Sequence, residues 1–96
     1  MSTLKNDDKF RIYDWMPQKM DLSSTTELFI YAIIYRDSQT ESKCFKEDLQ
    51  YLADWAGCTK RTVVKALNSL IEKGYIRKEK VESGAKYCVV YEKIPE

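Results

Sequence analysis

The chain has 96 residues, 44% of them hydrophobic and 32% charged, and a formal net charge of +1. That length supports one compact core with little volume to spare for a deep substrate pocket, and the composition excludes a disordered chain. The near-neutral total hides an asymmetry: residues 1–42 carry five basic and seven acidic side chains, residues 58–93 nine basic and four acidic.

Residues 1–9 are polar and read as a frayed tail. Phe10 to Met16 is rich in aromatic residues and predicts a short extended or helical arm, which Pro17 breaks. Ser23 or Ser24 caps a first helix over about Thr25–Asp37, with Glu27 at the spacing of a capping box from Ser24. Its centre, Leu28 to Tyr35, is apolar on nearly every face, the signature of a central core helix or a subunit interface. Ser38 to Ser42 is a polar loop, and Lys43 to Lys46 a two- or three-residue strand.

A second helix fits about Lys46–Ala56, with Leu49, Leu52, Ala53 and Ala56 on one face, and Gly57 ends it. Thr59 caps a third helix to about Lys73, whose apolar stripe is Val63, Ala66, Leu67, Leu70 and Ile71. After Gly74 the period changes from 3.6 to 2. Tyr75–Val81 predicts a strand, Glu82–Ala85 a turn with Gly84 at its tip, and Lys86–Lys93 the return strand. Residues 10–93 thus form one domain, and 94–96 the C-terminal end.

The second and third helices carry the offsets of a helix-turn-helix. Ala53 is small where the two helices cross, Gly57 supplies a positive φ at the turn, and Val63 packs back on the first of the pair. A basic hairpin follows directly. The expected fold is α+β, mainly α: a winged helix-turn-helix with a three-helix core, a C-terminal β-hairpin wing and an N-terminal arm.

The third helix turns Arg61, Lys65, Asn68 and Glu72 away from its apolar stripe, with Thr62 and Ser69 beside them. Arginine, lysine and asparagine match guanine and adenine edges in the major groove, so Arg61, Thr62, Lys65 and Asn68 are the base-facing candidates. Thr59 and Lys60 at the helix N-terminus, and Arg77, Lys78, Lys80 and Lys86 on the wing, are the candidates for backbone phosphates. Each cation taken singly is more often a solvated side chain. Their gathering on the face that a helix-turn-helix presents makes double-stranded DNA the expected partner. Tyr13, Trp15, Tyr31 and Tyr35 are expected in the core or at a homodimer contact made by the arm and first helix.

The chain lacks histidine, and Cys44, Cys58 and Cys88 lack metal-ligand spacing, so no zinc site, catalytic residue or cofactor is expected. The three cysteines are expected as separate thiols in a reducing cytoplasm. Neither a secretory signal nor a membrane-length apolar run is present, and no small-molecule substrate is expected.

Leu28–Tyr35, Cys44-Phe45, Leu52–Val63 and Leu67-x-x-Leu70-x-x-Lys73-Gly74-x-Ile76 together resemble the N-terminal winged-helix domain of bacterial and phage replication initiators and replisome organisers. Trp15 and Leu22 fit the lead-in, and the resemblance covers roughly residues 10–91. It implies binding of origin DNA, often as an oligomer. That family usually continues into a second domain, so this chain is either a fragment or a stand-alone relative. A winged-helix transcriptional regulator and a protein-interaction module are the alternatives, since fold alone does not fix function.

Overall fold

The helix that is apolar on nearly every face takes the centre of the molecule. The computed structural model describes residues 11–40, 43–82 and 84–94. The expected tail at 1–9, Phe10 and the last two residues lie outside them. In chain order the elements are α1 (Trp15–Lys19), α2 (Thr25–Ser38), β1 (Phe45–Lys46), α3 (Leu49–Ala56), α4 (Lys60–Glu72), β2 (Ile76–Val81) and β3 (Gly84–Val89), then a 3-10 turn at Tyr91–Lys93.

Ser24 caps α2 by accepting the Glu27 N–H, while the Glu27 carboxylate accepts the Ser23 N–H at 3.0 Å. The expected capping box therefore closes one residue further out. Ile30, Tyr31, Ala32, Ile33 and Ile34 are all fully buried, because α2 packs against α1, α3, α4, β1 and β3. The chain's own elements cover the central faces that had been read as core or interface. At the end of α2, Arg36 donates to the Tyr51 hydroxyl at 2.8 Å and holds α3 in place. Ser38, expected in a loop, is the buried last residue of the helix.

Pro17 does not break the arm. It sits in the first turn of α1, where its missing N–H has no helical partner to lose. The arm is anchored by ring contacts of Tyr13 and Trp15 with each other and with Tyr35, and of Trp15 with Tyr31.

The three strands form an antiparallel sheet in the order β1-β3-β2. β1 pairs Phe45 with Tyr87 and Lys46 with Lys86, which keeps the chain extended past Lys46. Asp48 then accepts the Tyr51 N–H at 3.0 Å, and α3 starts at Leu49 rather than at Lys46. Val81 pairs with Gly84, so the return strand begins inside the expected Glu82–Ala85 turn, and Ala85 is a buried strand residue. β3 ends at Val89 because its partner β2 begins at Ile76, opposite it. The last pairing bond runs from the Val90 N–H to the Tyr75 carbonyl, and a 3-10 turn replaces the expected strand end at Lys93.

The cysteines do not stand as three separate thiols. Cys44 and Cys88 face each other across β1 and β3 with Cα atoms 4.5 Å apart and form a disulfide, while Cys58 is free and half-buried. The reason is register: pairing Phe45 with Tyr87 puts Cys44 opposite Cys88. The architecture is a winged helix-turn-helix, mostly helical with a small antiparallel sheet. No helix among the described residues is long and apolar enough to cross a membrane.

Candidate nucleic-acid interface

The turn between α3 and α4 sets the site. Gly57 adopts φ +68° and ψ +38°, and the N–H groups of Gly57 and Cys58 both donate to the Ala53 carbonyl. Space does not demand glycine here, since a Cβ would meet nothing within 4 Å; the left-handed backbone does. Leu52 and Ala53 of α3 and Val63 of α4 are buried in one cluster, which fixes how α4 leaves the turn.

Thr59 caps α4 by accepting the Thr62 N–H at 3.2 Å, and the two hydroxyl oxygens lie 3.1 Å apart. Thr59 and Thr62, expected as phosphate and base contacts, are thus joined to each other as the helix cap. Both remain exposed. Val63, Ala66, Leu67 and Leu70 are buried, and the outward face presents Lys60, Arg61, Val64, Lys65, Asn68 and Glu72. No ion pair among the described residues involves Lys60, Arg61 or Lys65. Three cations and one amide therefore share the uncovered face of α4.

The wing sorts its cations by register. Directly opposed residues share a face, so Lys78 and Lys80 lie with Ile76, Tyr87 and Val89 on the side turned to the helices. There the Lys78 ammonium sits 5.9 Å from the centre of the Tyr87 ring. Arg77 and Lys86 lie on the opposite side and share Glu79, at 3.0 Å and 3.8 Å. Lys46, paired with Lys86, joins that outer side. The expected wing contacts are thus two separate groups, and one is already partly neutralised. The Tyr87 hydroxyl donates to Glu47 at 2.6 Å, and burial followed by this carboxylate pushes its pKa up.

Lys73 belongs to the fold. Its ammonium donates to the Asp21 carbonyl at 2.6 Å, the Ser23 hydroxyl at 2.8 Å and Glu27 at 3.0 Å. The Tyr75 hydroxyl accepts the Asp21 N–H two residues on. Burial alone would raise the Glu27 pKa, but hydrogen bonds from Ser23 and Lys73 outweigh it and hold the carboxyl below its usual range. One of the nine basic residues of the C-terminal half is thereby removed from any ligand-facing count.

Val64 and Lys46 escaped the sequence reading. Val64 is an apolar residue on an otherwise polar face, next in sequence to the buried Val63. Its offset of three from Arg61 is the signal that places it there. Lys46 became part of the sheet's outer face only through long-range pairing with β3.

A protein-family model described as a helix-turn-helix domain matches residues 24–76. The chain belongs to this helix-turn-helix family. The match opens at Ser24, the cap of α2, and closes at Ile76, the first residue of β2, so the helix-turn-helix proper lies inside it and most of the wing beyond it. No curated protein and no solved structure matches the chain.

Proposed function

We propose that the protein binds double-stranded DNA in a sequence-specific manner, with α4 in the major groove and the wing on the backbone or minor groove. The observation that carries this is the outward face of α4, where Lys60, Arg61 and Lys65 stand exposed in the N-terminal half of the second helix of a helix-turn-helix, with Asn68 exposed one turn further on. Arg61, Lys65 and Asn68 read base edges, with Thr62 beside them. Lys60 and the exposed cap at Thr59 approach a phosphate, as do Lys78 and Lys80 on the helix side of the wing. Arg77 and Lys86 reach phosphates by exchanging Glu79 for them. Both are exposed enough for that exchange to cost little.

The resemblance over residues 10–91 supports a role in plasmid- or phage-type replication initiation. A winged-helix transcriptional regulator would dock in the same way, and a helicase-loader gene beside the coding sequence would favour replication. The protein acts as a binding module, not an enzyme, and works in the cytoplasm. A reducing thiol pool there would open the Cys44–Cys88 bridge and leave the sheet pairing to hold β1 on β3.

A fluorescence titration with mixed genomic duplexes at low salt tests the proposal. Saturable binding that weakens on Arg61→Ala plus Lys65→Ala supports it. Absence of binding, or binding indifferent to the double substitution, refutes it.

A further inference from the structure

We propose that Val64 reads the C5-methyl group of a thymine, which makes it a specificity-determining residue of α4; the inference rests on the duplex-DNA reading above. Val63, Ala66, Leu67 and Leu70 of α4 are at most 5% exposed, whereas Val64 is 40% exposed. It follows Lys60 by four residues and Arg61 by three, and precedes Asn68 by four, so helical spacing sets it among these three polar side chains on one face.

Val64 is neither in the buried core nor among the partly buried apolar residues packed against it. Its β-branched side chain is a poorer helix former than alanine, lysine or glutamate, and it leaves two-fifths of its surface open. What an apolar, branched side chain can match is limited. Among the base edges in the major groove, the thymine methyl is the one apolar feature. Set against a guanine or cytosine edge instead, Val64 would strip water from donors or acceptors and return no hydrogen bond. Arg61 and Asn68 lie seven residues apart, about 10 Å along the helix. A thymine touched by Val64 therefore falls within the same few base pairs that those two side chains contact.

The test begins with repeated selection of bound duplexes from a random-sequence pool by the wild-type chain. The selected duplex is then resynthesised with deoxyuridine at each thymine in turn, which preserves pairing and removes only the methyl. At one position the exchange should weaken wild-type binding about fourfold, the factor expected for one methyl buried against an apolar partner. Val64→Ala, which is shorter and a better helix former, should bind the thymine and uracil duplexes equally. Val64→Thr keeps one γ-methyl and should retain a preference for thymine. If no exchange weakens wild-type binding, or if Val64→Ala suffers the same loss at the same position, the inference is overturned. If the pool yields no enriched duplex at all, the duplex-DNA reading itself fails and the role of Val64 falls with it.

Discussion

Replacing Gly57 isolates the backbone requirement of the turn from every other contribution. The residue sits at φ +68° and ψ +38°, and a Cβ at that position meets no atom within 4 Å. A substitution therefore creates no clash with a neighbour, and its cost is the strain of a side chain in the left-handed region. For alanine that strain is about 1–2 kcal/mol, partly offset by the lower entropy of its unfolded chain, so a net loss of about 1 kcal/mol is expected. In a domain of this size that lowers Tm by about 4–8 °C. Asparagine, which tolerates the left-handed region, should lose less than alanine, and β-branched valine should lose more. Thermal and urea unfolding of the three variants provide the assay. An alanine variant as stable as wild type, or equal losses for asparagine, alanine and valine, would refute the conformational account of the turn.

The remaining expectations concern what holds and charges the frame. Reducing the Cys44–Cys88 bridge, which spans 44 residues of sequence, should lower stability by up to about 4 kcal/mol by loop-closure entropy, seen as a lower urea midpoint; an unchanged midpoint would contradict the bridge. Because the Glu27 carboxyl is held below its usual pKa, its contribution is present above the ordinary glutamate range and lost as pH falls through the lowered value. Glu27→Gln should therefore flatten the acid limb of the stability profile, and an identical limb would exclude Glu27 as its source. Lys73→Met should destabilise the fold by about 1–3 kcal/mol by taking the cation from the half of Glu27's carboxylate that Lys73 pairs, without changing the salt slope of DNA binding. Lys80→Ala should leave stability nearly unchanged and reduce that slope by about one unit. The same slope change with Lys73→Met would place Lys73 at the ligand after all.

Local signals carried much of this in the sequence. The Ser24 and Thr59 caps, Gly57 in the left-handed turn and the buried stripe Val63, Ala66, Leu67 and Leu70 each depend on residues within about two helical turns, and all could be read from spacing. What escaped was set by partners far along the chain. The Cys44–Cys88 bridge and the late start of α3 follow from pairing β1 with β3, and the early end of β3 follows from the start of β2. The outward row of α4 was legible for Arg61, Lys65 and Asn68, but the wing cations could be sorted only once register was known. Arg77 and Lys86 turned out to share Glu79 on the outer side, while Lys78 and Lys80 face the helices. Lys73 looked like any other cation until α2 placed Glu27 beside it.

The central claim is that duplex DNA docks on the outward face of α4. At 11.3 kDa the protein is small enough for its amide signals to be followed one by one while a mixed-sequence duplex is added at low salt. The account predicts the largest shifts at Lys60–Asn68, smaller ones at Arg77–Lys86, and none of note at Ile30–Ile34 in the buried centre of α2. Shifts gathered on the Tyr13–Trp15 arm with Lys60–Asn68 unmoved, or no shifts at all, would contradict it.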